Sequence, residues 1–228
     1  MSTDTKRLQP RSSISLAVIA GLIVALFGSS LLGLLDVSDR LTTTTAGQLL
    51  VNSATMWLLV AAVLVIVLYW EDRSVASIGL GLPSRREATL GVVAGVAGLV
   101  LGILATGIAV AAFQLEQPET LSTLEALSLP VKLAIVGTAV VTEEVLWRGY
   151  PIERLTELTG SLWVGAVTSG VVFLAVHYPA WGLVGAIPQA VFTVAIVGVY
   201  AKTRNVVACV LAHTVINVAM ILVLPAFL

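Results

Sequence analysis

Seven long apolar runs limit what this chain can fold into more than any other feature: residues 14–35, 49–70, 88–113, 131–147, 162–178, 183–201 and 206–228. Each comes close to or exceeds the roughly 20 apolar residues that an α-helix needs to cross a bilayer. Only helices and closed barrels satisfy their backbone polar groups in lipid, and runs this long are helical rather than strand-length. The expected fold class is therefore all-α: a polytopic membrane helix bundle of about seven transmembrane helices, or eight if one segment is broken or re-entrant. With 58% hydrophobic and only 11% charged residues in 228, the chain lies far from the soluble average of about a quarter charged.

The charged residues that remain carry topological information. Lys and Arg are retained on the cytoplasmic side of short loops. Lys6, Arg7, Arg11, Arg73, Arg85, Arg86, Arg148, Arg154, Lys202 and Arg204 fall on one side of the seven-span arrangement, and Arg40 and Lys132 on the other. This predicts a cytoplasmic N-terminus, an outer C-terminus and location in the cell membrane. Residues 1–13 read as a cytoplasmic tail and 14–228 as one integral membrane domain. The first run is too long for a signal peptide and lacks an A-x-A-type cleavage site, so it is expected to be a retained helix. A net charge of −1 without a block of like charge argues against a nucleic-acid partner. Cys209, the single cysteine, excludes an internal disulfide or a multi-cysteine metal site. Gly91, Gly95, Gly98 and Gly102 give the third span two small-xxx-small pairs for close helix approach.

Ionisable groups inside lipid are costly, at least ~2.5 kcal/mol each on insertion scales, and usually face a cavity or a partner. Three clusters stand out. The first is Glu143, Glu144 and Arg148 in TEEVLWRGYP. Neighbours on a helix differ by about 100°, so Glu144 and Arg148 can pair while Glu143 points elsewhere. The second is Phe173 and His177 in FLAVHYPAWG, a helix expected to end at Pro179 and Gly182; the third is His213 and Asn217 in LAHTVINVAM. If the fourth helix runs on to about Leu158 and turns at Thr159–Ser161, Glu143 and His177 reach the same depth. A second turn near Arg204 and Asn205 brings His213 and Asn217 toward that level.

A glutamate beside an imidazole in a wet, low-dielectric pocket suits general-base activation of water. His213 and Asn217 offer donors to a developing oxyanion. There is no G-x-S-x-G and no H-E-x-x-H, and the apolar setting of the single cysteine, Cys209, suggests a small core residue, so serine, zincin and thiol mechanisms lose support. A scaffold and a proton-coupled transporter are the competing readings. A transporter would more often show repeated halves, which this chain lacks.

In order and rough spacing, the three clusters match E-E-x-x-x-R, F-x-x-x-H and H-x-x-x-[ND]. The chain in this respect resembles the CPBP (Abi) family, the CAAX prenyl protease and bacteriocin-processing enzymes related to type II CAAX prenyl endopeptidases. The stretch SIGLGLP, from Ser77, extends the similarity to about residues 77–228. The resemblance implies an intramembrane endopeptidase with a cavity opening toward the cytoplasm, acting on membrane-associated or lipidated peptide substrates. It implies that Glu143 and His177 activate water, that His213 and Asn217 stabilise the oxyanion, and that Glu144, Arg148 and Phe173 support them. It also implies two alternatives: a zinc site of Glu143, His177 and His213 in place of a cofactor-free mechanism, and a non-catalytic scaffold or bacteriocin self-immunity protein.

Overall fold

The computed structural model describes residues 15–116 and 119–224, and among them it contains helices and no strands. The expected tail at residues 1–13 and the last residues of the seventh run, 225–228, lie outside the described residues. The main helices are α1 (Leu16–Leu34), α3 (Thr45–Val65), α4 (Arg85–Phe113), α6 (Leu129–Glu143), α7 (Tyr150–Thr159), α8 (Leu162–Thr203) and α9 (Val206–Asn217). Two short helices, α2 (Val37–Leu41) and α5 (Glu119–Glu125), lie in loops at the same end of the bundle.

Local chemistry sets most of the boundaries. Ser15, Thr44, Ser161 and Asn205 cap the helices that follow them through side-chain oxygens, and Ser84 and Glu87 form a reciprocal capping box at the start of α4. Gly160 takes a left-handed conformation (φ 73°) that closes α7. The two turns expected at Thr159–Ser161 and at Arg204–Asn205 are where the chain reverses.

α6 and α7 form a continuous helical rod joined by a π-helical turn, Glu144–Gly149. α8 is a 42-residue helical run that continues through Pro179 and breaks at Gly182, whose φ of 58° and ψ of −165° are non-helical. The break reverses the chain: a Cβ added to Gly170 would lie 3.3 Å from Thr193 Cγ2, so the arm before Gly182 packs against the arm after it. The two arms, 162–181 and 183–203, correspond to the fifth and sixth apolar runs; among the described residues five helices are long and apolar enough to cross a membrane, with the whole of Leu162–Thr203 counted as one of them. The helix ends at Gly182 rather than at Pro179, because a proline deprives the helix of only one hydrogen bond, whereas Gly182 adopts backbone angles that no helix contains.

The glycine stripe of α4 behaves as its spacing predicts. Gly91, Gly95, Gly98 and Gly102 are the buried residues of that helix. A Cβ on Gly91 would come within 2.3 Å of the Ala208 carbonyl oxygen, and one on Gly95 within 2.7 Å of that of Ala212, so α4 and α9 meet backbone to backbone. Gly98 and Gly102 sit likewise against Ala195 and Phe192 of the second α8 arm. The rest of α4 turns outward: Val93, Val100, Leu104, Ile108 and Phe113 are exposed. Such an apolar belt fits lipid, and this is a multi-pass membrane protein.

One end of the bundle is tied by ion pairs. Arg154, fully buried, binds Glu71 through Nε (2.9 Å) and Nη2 (2.6 Å), and its Nη1 donates to the Ser77 carbonyl. Tyr150 Oη donates to the same Glu71. Arg204 pairs with Glu153, Arg73 with Glu157, and the Val206 N–H donates to the Gly79 carbonyl. Arg154 was expected in a cytoplasmic loop; it is instead the centre of this network. The opposite end is held more lightly, by Lys132 Nζ donating to the Glu125 carbonyl and Thr120 to that of Ala180.

Candidate active site

Glu143 is the last residue of α6, and Glu144 and Arg148 lie in the π turn that follows. A π turn admits one extra residue per turn and is frequent at functional sites. Glu144 and Arg148 form the expected i,i+4 pair, with Arg148 Nη1 3.2 Å from Glu144 Oε1 and both side chains sealed from solvent. Glu143 points a different way and meets His177 of the first α8 arm, Oε1 to Nε2, at 3.8 Å. The equal depth expected for these two residues is thus observed.

His213, on α9, is hydrogen-bonded to Glu144 rather than to Glu143. Its Nδ1 lies 2.7 Å from Glu144 Oε1, so Glu144 serves both Arg148 and His213. The sequence assigned Glu144 one partner; it has two. His177 Nδ1 lies 2.7 Å from the Phe173 carbonyl oxygen. A carbonyl can only accept, so Nδ1 carries the proton and Nε2, in the neutral ring, presents a lone pair toward Glu143. With Glu144 ionised the same argument places a proton on His213 Nδ1, and the ring donates through Nε2 only as imidazolium.

Aromatic rings hold these groups in place. Phe173 lies under the Arg148 guanidinium, 4.1 Å from ring centroid to Cζ, and 4.1 Å from the His177 ring centroid. Trp147 meets both Phe173 and His177 edge to face. Trp147 had no place in the three motifs; its position between the glutamates and Arg148 is the only sequence signal for it. Ser169 also reaches across from α8 to donate to the Trp147 carbonyl.

Glu143, Arg148, Phe173, His177, His213 and Asn217 all border one cavity of about 510 Å³. The rest of its lining is mostly apolar and comes from α4, α5, α6, the second α8 arm and α9. Among the described residues, Arg148 Nη1 and Nη2, Glu144 Oε2 and Thr193 Oγ1 are buried without a hydrogen-bond partner. Buried polar atoms are rarely left so; Arg148 and Thr193 border the cavity, where water or a substrate can satisfy them. No three His, Cys, Asp or Glu side chains among the described residues are grouped to hold a metal ion.

Residues 125–219, which contain every one of these motif positions, match the family model described as type II CAAX prenyl endopeptidase Rce1-like. The matched region begins at the end of α5 and covers the α6–α7 rod, all of α8, and α9. No curated protein and no solved structure matches the chain. The Rce1-like match supports a CAAX-type intramembrane protease at the level of the family, and with it a membrane-associated peptide substrate.

Proposed function

We propose that the protein is an intramembrane endopeptidase that uses Glu143 as general base, without a metal. The observation that carries this reading is the approach of Glu143 to His177 within 3.8 Å at a mostly apolar cavity, from two helices distant in sequence. That separation is too long for a direct hydrogen bond and suits one water molecule held by both groups. The water donates one hydrogen to Glu143 and the other to His177 Nε2, which turns its lone pair toward the scissile carbonyl carbon. As oxygen bonds to carbon, the proton passes to Glu143. The tetrahedral oxyanion then collapses, the C–N bond breaks, and Glu143 returns the proton to the departing amine.

Stabilisation of the oxyanion falls to Asn217 through its amide and to His213 through Nε2 when charged, as in the two-donor arrangement of other acyl-transfer sites. Glu144 is a positioning residue: it fixes the His213 ring and offsets Arg148. Phe173 acts by packing His177 and Arg148. The substrate is a membrane-associated or lipidated peptide, and the protein belongs in the cell membrane.

The test is hydrolysis of a peptide library in detergent by the wild type and Glu143→Gln. The wild type cleaves; Glu143→Gln loses about 10²–10⁴-fold, the usual contribution of a general base; chelators leave the wild-type rate unchanged. Equal rates for the two proteins remove Glu143 as base. Loss with chelator, restored by zinc, overturns the metal-free mechanism.

A further inference from the structure

One buried hydroxyl at the cavity departs from a pattern that other threonines in the bundle keep. Thr106, Thr142, Thr156, Thr203 and Thr214 each donate through Oγ1 to the carbonyl four residues earlier, the common way for a helix to satisfy a threonine away from water. Thr193, on the second α8 arm, is only 4% exposed, and its Oγ1 has no partner. Its methyl is turned to the first arm, where a Cβ on Gly170 would lie 3.3 Å from Thr193 Cγ2. A buried donor without a partner destabilises the empty protein, and only a ligand or water that pairs with it offsets that cost. Gly170 lies three residues before Phe173, nearly one turn, so Thr193 stands beside the Glu143 end of the cavity that it borders. Gln189, four residues before Thr193, borders the same cavity, and no hydrogen bond holds its side-chain amide among the described residues. Because the two arms run antiparallel, Gln189 is level with the stretch between Phe173 and His177. Around the two polar side chains the lining is apolar, with Val184, Phe192 and Ile196.

The inference rests on the peptidase reading above and concerns how that site grips its substrate. We propose that Gln189 and Thr193 bind the backbone of an extended peptide, each donating to one main-chain carbonyl near the bond that is hydrolysed at Glu143. Four residues of a helix rise about 6 Å. Carbonyls two residues apart on an extended chain point to the same side and are about 6.5 Å apart, so donors at i and i+4 on one helix face match alternate carbonyls. A peptide that stays helical cannot use the pair, because its carbonyls are already bonded to its own N–H groups. In an apolar lining, the polar atoms that an apolar peptide must bring are those of its main chain. The substrate class is therefore an unwound, extended segment with apolar side chains, held by its backbone whatever its side chains are. Gln189 and Thr193 bind and position; the proton chemistry stays with Glu143 and His177.

The experiment compares the wild type in detergent with Thr193→Val, which keeps the shape and removes the hydroxyl, Thr193→Ser, which keeps the hydroxyl, and Gln189→Met. The probe is the library peptide that the wild type cleaves fastest or, if it cleaves none, a fluorescent octapeptide of leucine and alanine whose binding is read by anisotropy. Thr193→Val is expected to raise KM about 5- to 100-fold, because it leaves a substrate carbonyl unpaired in an apolar site. Its kcat is expected to change little, the mark of a contact made equally in the ground and transition states. Thr193→Ser is expected to restore most of the loss, and Gln189→Met to raise KM about 2- to 10-fold. Without peptide, Thr193→Val is expected to unfold at or above the wild-type midpoint, since the hydroxyl has no partner to lose; a merely structural role would lower it. Replacing the probe's carbonyls one at a time by thiocarbonyls, which are weaker acceptors, is expected to raise KM at two positions two residues apart, one of them silent in Thr193→Val. A wild-type KM in Thr193→Val, a loss that Thr193→Ser does not restore, or a lowered midpoint overturns the proposal and leaves the peptidase reading standing. A probe that binds with the same dependence on Thr193 but is not cleaved sinks the peptidase reading alone, and one that neither binds nor is cleaved sinks both.

Discussion

Replacing Glu144 by glutamine is the sharpest test of how the site is held together. The change keeps the shape of the side chain and removes its charge. Arg148 Nη1 lies 3.2 Å from Glu144 Oε1, and both side chains are at most 1% exposed. At an effective dielectric constant of 20, unit charges at that distance attract by about 5 kcal/mol. The glutamine variant strands a buried guanidinium, and breaking a buried pair from one side costs about 3–5 kcal/mol. An interhelical hydrogen bond within a membrane protein averages ~0.6 kcal/mol and reaches at most about 1.7 kcal/mol, so losing the His213 contact alone falls short of that figure. The two contributions are separable by a double-mutant cycle with Arg148→Met, followed by thermal or denaturant unfolding in detergent. Glu144→Gln alone is expected to lose about 3–5 kcal/mol, and the double variant to recover much of it because no charge is left stranded. A Glu144→Gln protein that unfolds like the wild type, or additive effects of the two substitutions, would show that Arg148 and Glu144 are not coupled and would refute the role given to Glu144.

Other perturbations address the frame and the site separately. Gly91→Val drives a branched side chain against the Ala208 backbone, where even a Cβ comes within 2.3 Å; the yield of folded, monodisperse protein in detergent is expected to collapse, whereas Gly107→Val, at a position with open space around it, leaves it unchanged. Arg154→Ala leaves the buried Glu71 without its main partner and is expected to cost about 3–5 kcal/mol, measured as a lowered unfolding midpoint. Phe173→Ala removes the ring between Arg148 and His177 and is expected to cost about 3–5 kcal/mol of stability, with Phe173→Leu recovering part of the stability but not the full hydrolytic rate, since a leucine fills volume without a π-face for the guanidinium.

Helix periodicity accounts for what could be read in advance. Glu144 and Arg148 are four apart, so their pairing needs no knowledge of the rest of the fold. Gly160 and Asn205 are turn and cap residues, so the two reversals could be located, and equal counts from Gly160 then set Glu143 level with His177. The glycine stripe of α4 identified a packing face because only a face without side chains lets two backbones touch. Relations that depend on how separate helices rotate against each other were beyond that arithmetic. His213 could have turned to either glutamate; α9 is set by its seat on Gly91 and Gly95 of α4, and that seat delivers Nδ1 to Glu144. The π turn is invisible to a 3.6-residue period, and Arg154 looked like a loop cation because its partners, Glu71 and Ser77, come from a segment far away in sequence. The direction of the cavity belongs to this second class. Each apolar residue on it, such as Ile135, Val184 or Phe192, fits a lipid-facing helix equally well, and only the α8 break at Gly182, which folds the second arm back beside the first, turns them into a passage with one end at Glu143 and the other at α5.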